Sequence, residues 1–271
     1  MPELPEVETV KRGIGPHLER QSVTKVVIRQ RQLRWPITRG FNQVLTGQVI
    51  EQVTRRGKYL LLHCETGHVI IHLGMSGKLC LVPLGTTAEK HDHIDIELNN
   101  NLALRFTDPR RFGCVLWTAQ DPLHHDLLKK LGPEPLSTAF NFDYLFQQTR
   151  KRKSKIKTVI MNSNIVVGVG NIYANEALFL AGLRPGRAAG SISRSDCERL
   201  IKQIQFVLNQ AIAAGGTTLR NFVSSEGKPG YFAQQLCVYG REGSACLHCQ
   251  TTLKGQRLGQ RQTVYCPQCQ K

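Results

Sequence analysis

Two groups of residues in this chain have types and spacings that could do chemistry. The first is Cys246-x2-Cys249-x16-Cys266-x2-Cys269. Each pair can clamp one side of a tetrahedral ion with two thiolates, and the 16-residue spacer is long enough for a β-hairpin that brings the second pair back. One structural Zn2+ is the ion expected here, with every coordination position filled by protein and none left for a reactive water. A redox pair would normally stand alone near a βαβ pattern. His248, inside the first pair, is not needed as a ligand and reads as a surface residue. The second group is Pro2-Glu3. Loss of Met1 would leave a secondary amine on Pro2. Such an amine attacking a sugar aldehyde or C1′ forms a charged iminium, an electron sink that acidifies the neighbouring sugar C–H. Glu3 beside it could donate and accept protons. A helix starting here would turn its positive end toward the amine and favour the neutral nucleophile. A merely capped terminus also begins Met-Pro, so this group counts only in combination.

Composition narrows the partners. The 271 residues carry 36 Lys and Arg against 20 Asp and Glu, a formal charge of +16. That excess points to a polyanion, nucleic acid first. An anionic membrane surface fits less well, because no basic amphipathic helix with a broad apolar face is evident. A generally basic enzyme is the plain alternative. No apolar run approaches the ~18 residues of a membrane span, and Met1–Glu6 has no basic or apolar leader, so no secretory signal is expected. The chain is therefore expected in the cytoplasm. Nine cysteines, an odd number, argue against a disulfide framework. The five outside the paired set, Cys64, Cys80, Cys114, Cys197 and Cys237, read mostly as small buried hydrophobes.

These groups need elements to position them. Residues 5–20 read as a helix, with Val7, Val10, Ile14 and Leu18 at helical spacing, Pro5 suiting the first turn, and Glu6 and Glu8 at its positive end. Short alternating segments follow and predict strands at Val23–Arg29, Val49–Arg55, Tyr59–Cys64, Val69–Leu73, Gly77–Val82, His93–Leu98, Ala103–Phe106 and Cys114–Thr118. Strands so closely spaced suggest an antiparallel sandwich or barrel. Gly132-Pro133-Glu134-Pro135 marks a boundary. Beyond it the pattern is helical at about 141–151, 156–161, 171–182 and 193–214, and residues 215–235, rich in Gly, Thr and Ser, read as a mobile loop. The fold class is therefore α+β.

Several loops carry groups suited to nucleic acid, though each alone could be an ordinary surface turn. Arg55-Arg56-Gly57-Lys58 lies at a strand junction, where Gly57 would let backbone approach a ligand. His72-Leu73-Gly74-Met75-Ser76-Gly77 joins two strands and offers a cation-capable ring and a flexible apolar side chain. Thr107-Asp108-Pro109-Arg110-Arg111-Phe112-Gly113 adds two arginines and an aromatic. An Arg–Phe tip with Met75 nearby could fill the gap left in a duplex by an extruded base. Residues 150–157 hold six basic residues in eight, usually a solvated face but on so basic a chain a phosphate contact. Gly168-Val169-Gly170-Asn171 leads into a helix and could offer backbone N–H groups to a phosphate. It lacks the third glycine and the acidic partner of a dinucleotide site.

Together these segments resemble the bacterial formamidopyrimidine-DNA glycosylase (8-oxoguanine DNA glycosylase/AP lyase) family. The matching segments are Pro2-Glu3-Leu4-Pro5-Glu6-Val7-Glu8, Arg55–Tyr59, His72–Gly77, Asp108–Gly113, Gly168–Glu176, Gly227-Lys228-Pro229-Gly230-Tyr231-Phe232, and the four-cysteine finger with Arg261. They occur in family order over essentially the whole chain. The resemblance implies an N-terminal antiparallel β-sandwich flanked by helices (1–131). It implies a helical helix-two-turn-helix domain with a lesion-capping loop (132–236), and a zinc finger (237–271). It also implies a monomer that excises oxidised purines from double-stranded DNA in base excision repair and then cuts the strand by β,δ-elimination. By the same resemblance Pro2 would be the Schiff-base nucleophile and Glu3 the proton donor. Lys58 would serve β-elimination and phosphate binding, and Arg261 δ-elimination and phosphate binding. His72 and Asn171 would grip the kinked backbone, and His91, Arg110 and Arg152 match DNA-contact positions. Lys157 matches a lysine implicated in handling oxidised guanine, while Met75, Arg110 and Phe112 would form the wedge. No small-molecule cofactor and no membrane partner are expected.

One departure is Asn162, where family members often carry Asp. A salt bridge made there would become a neutral hydrogen bond. Two other readings compete. The sister glycosylase endonuclease VIII shares the Pro-Glu start, helix turn and finger, but usually has Gly where this chain has Leu4 and lacks the Met/Arg/Phe wedge. A non-catalytic zinc-finger DNA-binding protein would explain the charge and the cysteines but would need neither Pro2-Glu3 nor the Lys58 loop.

Overall fold

The computed structural model describes residues 2–216 and 232–271. Most of the expected capping loop, including Gly227-Lys228-Pro229-Gly230-Tyr231, lies outside the described residues. Contacts divide the chain into two compact units, one of residues 1–129 with 214–231 and one of residues 130–213 with 232–271. Among the described residues no helix is long and apolar enough to cross a membrane.

The first unit opens with helix α1 (Leu4–Leu18), which buries Val7, Val10, Ile14 and Leu18. Each such side chain contributes roughly 1.5–3 kcal/mol when fully withdrawn from water. The helix stops short of the expected end at residue 20: Pro16 lies in its last turn, Glu19 turns extended, and Arg20 takes φ 66°. All eight expected strands form, with ends displaced by no more than two residues. They are β1 (Gln21–Ile28), β2 (Val49–Arg56), β3 (Tyr59–Cys64), β4 (Gly67–His72), β5 (Lys78–Pro83), β6 (Asp92–Leu98), β7 (Leu102–Thr107) and β8 (Cys114–Thr118). Their order is β5-β7-β6-β1-β2-β3-β4-β8. Strand β1 joins the two halves. Gln21 and Ser22 pair with β2, and from Val23 onward the strand pairs with β6, with a bulge between Val23 and Lys25. One apolar cluster takes side chains from both halves and from α1, among them Val10, Leu60, Val69, Ile94 and Phe106. A five-residue helix, α2 (Phe41–Leu45), is absent from the sequence pattern; it anchors itself with Phe41 and Leu45, both buried.

The second unit holds the four helices expected in this region: α3 (Phe142–Thr149), α4 (Ile156–Ile160), α5 (Asn171–Leu180) and α6 (Arg194–Ala213). Two of their starts carry local caps. Asn141 accepts the Tyr144 N–H at 3.0 Å. Ser193 Oγ accepts the Asp196 N–H at 3.1 Å while Asp196 accepts the Ser193 N–H at 3.1 Å, a reciprocal capping box. Helix α5 buries every residue from Ile172 to Phe179, so it runs through the middle of this unit rather than along its surface. Strands β9 (Lys254–Leu258) and β10 (Arg261–Tyr265) form the hairpin expected of the cysteine spacer.

Candidate functional site

Pro2 is buried and lies one residue before the N-cap of α1. Glu3, 2% exposed, is the helix N-cap in extended conformation, and the Glu6 carboxylate accepts its backbone N–H at 2.8 Å. One turn on, Glu8 accepts from Arg55 Nε at 2.9 Å and pairs with Lys11 and Arg12. Burial by itself would raise the Glu8 pKa, but these three cations outweigh it and hold the carboxyl at about 2. Arg55 also donates through Nη1 to the Gly57 carbonyl at 2.9 Å. That bond braces the turn presenting Lys58. Strands β2 and β3 pair as far as Arg56–Tyr59, so Gly57-Lys58 is a two-residue turn. Gly57 has φ 58°, the left-handed backbone a type II′ hairpin requires at its first central position. Lys58 is thus placed at the tip of a hairpin in the middle of the sheet.

His72 ends β4. Its Nδ1 accepts the Gly74 N–H at 3.0 Å, which leaves Nε2 to carry the proton. Burial, followed by the charges of Lys58 and Arg34, lowers its pKa to about 4. The ring that sequence marks as cation-capable is therefore a neutral donor at pH 7. The loop after it exposes Met75 (36%), and the loop after β7 exposes Phe112 (41%). The Arg110 guanidinium lies over the Phe112 ring, 4.8 Å from its centroid. A side chain at Gly74, which has φ 64°, would collide with the Phe112 backbone, so the two loops touch directly. His91, half-buried, accepts the Asp108 N–H through its carbonyl at 3.1 Å.

In the second unit the expected contacts divide. Arg152, Lys151, Lys153 and Lys155 are exposed. Lys157 is not: it is 1% exposed, and its ammonium donates to the Gln262 carbonyl at 3.1 Å and to Thr263 Oγ1 at 2.7 Å. Arg150 also turns inward, onto the Ile192 carbonyl and the Phe146 ring. The basic run is therefore not one surface. Asn171, first residue of α5, donates through Nδ2 to the same Gln262 carbonyl at 3.0 Å. Asn175 Oδ1, one turn on, accepts the Val264 N–H at 3.0 Å. These bonds seat β10 against α5 and so hold Arg261 at its start. Leu258 pairs with Arg261, and the intervening Gly259 and Gln260 have φ 53° and 61°, the two left-handed positions of a type I′ turn. Arg261, Arg152, Thr158 and Asn162 share a cleft of about 490 Å³. Asn162 Oδ1 accepts the Asn164 N–H at 3.0 Å, a local turn that a neutral amide serves as well as a carboxylate would.

The four finger cysteines bring their sulfurs within 4.8 Å of one another. Sγ separations are 3.9 Å for Cys246–Cys269, 3.5 Å for Cys249–Cys266 and 3.4 Å for Cys249–Cys269. A tetrahedron with Zn–S bonds of ~2.3 Å has edges of about 3.8 Å, so the donor set fits one zinc ion. His248 is exposed, its ring centroid 4.8 Å from that of Phe179 and the two planes tilted by 43°. Of the other cysteines, burial pushes the Cys64 thiol up to about 11 and the Cys114 thiol to about 12, which keeps both protonated and unreactive.

Three residues to which the sequence assigns no role are prominent here: Asn175, Asp108 and Glu176. Glu176 is 2% exposed and accepts the N–H groups of Cys237, Val238 and Tyr239 at 2.7, 3.0 and 2.7 Å. That it is the one charged residue in the sequence of α5 is the signal that points to it.

Residues 1–115 match the formamidopyrimidine-DNA glycosylase N-terminal domain. Residues 131–223 match the formamidopyrimidine-DNA glycosylase H2TH domain, and residues 243–271 match a zinc finger found in FPG and IleRS. Formamidopyrimidine-DNA glycosylase of Ectopseudomonas mendocina is 57% identical over 271 residues, the whole of both chains. That of Nitrosococcus oceani is 57% identical over 270 residues, again 100% of each. Among solved structures, the MutM (Fpg) protein of Thermus thermophilus superposes with a TM-score of 0.89 at 36% identity, covering 99% of this chain and 98% of that one. A mutant of Lactococcus lactis FPG, in complex with a Fapy-dG containing DNA, gives 0.93 at 32% identity over 100% of both chains.

Proposed function

Because this chain belongs to the formamidopyrimidine-DNA glycosylase family, we propose that Pro2, Glu3, Lys58 and Arg261 carry its reaction. The protein is a DNA glycosylase of oxidised purines and an AP lyase, acting in base excision repair on damaged duplex DNA. The observation that carries the assignment of residues is the start of α1, where Pro2 precedes a buried N-cap glutamate.

Once Met1 is removed, the Pro2 nitrogen attacks C1′ of the damaged nucleotide. The bond from C1′ to the base breaks and Glu3 delivers a proton to the opening sugar ring. The product is an iminium between Pro2 and C1′. Loss of the C2′ proton then breaks the C3′–O bond and releases the 3′ phosphate, with Lys58 assisting. A second elimination, served by Arg261, releases the 5′ phosphate and leaves a one-nucleotide gap with phosphate at both ends. His72, as a neutral Nε2–H donor, and Asn171, His91, Arg110 and Arg152 hold the backbone. Met75, Arg110 and Phe112 fill the space left by the flipped base, since extrusion costs a few kcal/mol of stacking. Lys157 acts by holding the strand that carries Arg261. Zinc, when bound, supplies structure to the finger. The work is done by a monomer in the cytoplasm, on the nucleoid.

Borohydride tests this directly, because it reduces an iminium to a stable amine. A covalent complex should form on an 8-oxoguanine:cytosine duplex and disappear in Pro2→Gly or when Met1 is retained. Trapping mainly on thymine glycol would move the chain toward pyrimidine lesions, and no trapping with zinc bound and Met1 removed would sink the lyase mechanism.

A further inference from the structure

We propose that Asp108 and Ser76 are positioning residues that hold Met75 and Phe112 as one rigid wedge, and that they govern extrusion of the lesion rather than bond cleavage. The inference rests on the wedge reading above. Ser76 and Asp108 stand 32 positions apart in sequence, and the Ser76 hydroxyl donates to Asp108 Oδ1 at 2.7 Å. Asp108 Oδ2 accepts the Gly113 N–H at 2.8 Å. Its carbonyl accepts His93 Nε2–H at 2.7 Å and the Arg111 N–H at 3.2 Å. Ser76 Oγ in turn accepts the Arg110 N–H at 3.3 Å. One carboxylate, fully buried, thus ties the residue after Met75 to the residue after Phe112.

This arrangement answers a physical difficulty. Met75 and Phe112 are large apolar side chains held in water, and a pliant loop would fold them inward. Here inward collapse would strand a buried carboxylate without its donors. A buried acceptor left unpaired is costly, more so when it is charged, and that cost offsets what burying one apolar side chain would return. The loops therefore stay out, and the wedge reaches the duplex already formed, without an ordering cost at the moment of insertion.

The test compares two DNAs. One is an 8-oxoguanine duplex with 2-aminopurine beside the lesion, whose fluorescence reports extrusion. The other is a single-stranded oligonucleotide with a preformed abasic site, which needs no extrusion. In single-turnover reactions Ser76→Ala should slow extrusion and excision about tenfold, and Asp108→Asn somewhat more. Ser76→Thr, which keeps the hydroxyl, should restore the rate. Cutting of the single-stranded DNA should stay at the wild-type rate in all three. Phe112→Ala and Met75→Ala serve as references for the wedge itself. If they slow extrusion while Ser76→Ala and Asp108→Asn do not, the positioning role is overturned and the wedge survives. If none of the four slows extrusion, the wedge reading fails first. Equal slowing on both DNAs would mean general loss of structure and would also overturn the proposal.

Discussion

Two hairpins in this protein each present a cation from a tight two-residue turn, and they are stabilised by different means. The β2–β3 hairpin carries Lys58 behind Gly57. It is flanked by β1 and β4 in an eight-stranded sheet and backed by the large apolar cluster of the first unit. The β9–β10 hairpin carries Arg261 behind Gly259-Gln260. It has only two strands and a cluster of six buried residues, two of them metal-ligand cysteines. A lone two-stranded hairpin is marginal in water. What replaces a core is the thiolate set, together with the side chains of Lys157, Asn171 and Asn175 reaching its backbone. The same local geometry can thus rest on burial in one place and on coordination and polar bonds in another, and the two should fail under different insults.

The largest separation should come from chelation. Structural zinc sites contribute roughly 10–16 kcal/mol to folding, so stripping the metal should melt β9–β10 and abolish strand cutting through Arg261. Hydrogen exchange should show the β2–β3 amides still protected. Next in size, Pro2→Gly should reduce excision by about 10³-fold, within the range for loss of a positioned catalytic group, and remove the trapped complex. Arg261→Gln should keep the trapped complex and stop at the β-elimination product on a gel.

Acid should probe the first hairpin. Glu8 is held at about 2 against an ordinary 4.5, so its stabilisation is complete above pH 4.5 and lost as pH falls toward 2. His72 is lowered from 6.5 to about 4. Between those values the unfolded chain binds a proton the folded chain does not, so stability also falls with acid, starting from pH 6.5. Each window corresponds to at most about 3 kcal/mol. Melting curves at pH 7, 5 and 3 should show both losses; Glu8→Gln should flatten the lower window and His72→Gln the upper. The smallest effect expected is from Lys157→Met, about 1–3 kcal/mol for bonds lost at Gln262 and Thr263. It should read out as faster zinc loss to a chelator with Pro2 trapping intact. Unchanged zinc retention would mean that Asn171 and Asn175 suffice to seat the hairpin.

Much of the fold is legible in the sequence because local pattern and tertiary role agree. The strands announce themselves by alternation, α1 by Val7, Val10, Ile14 and Leu18, and the metal set by spacing alone. Helix α2 escapes such a reading because five residues are too few to show a period. Side-chain direction is the other blind spot. Nothing in Arg150–Lys157 distinguishes Arg152, which faces water, from Lys157, which is buried, since that depends on a strand more than a hundred positions later. The neutral state of His72 depends on burial and on Lys58 and Arg34, and the role of Asp108 on Ser76. Such non-local groups meet only once the sheet has closed.

The sharing of β1 between two partners has a consequence for how the chain is made. Its first residues pair with β2 and the remainder with β6, which ends at Leu98. A nascent chain that has not yet released β6 from the ribosome holds Val23 and Val26 on an unpaired edge, with half of its sandwich missing. Long-range pairing of this kind is slow and leaves apolar edges open to aggregation. Synthesis therefore passes through a vulnerable interval that closes only when β6 arrives. Arrest-peptide force profiles should register folding of the first unit after that strand emerges and not before.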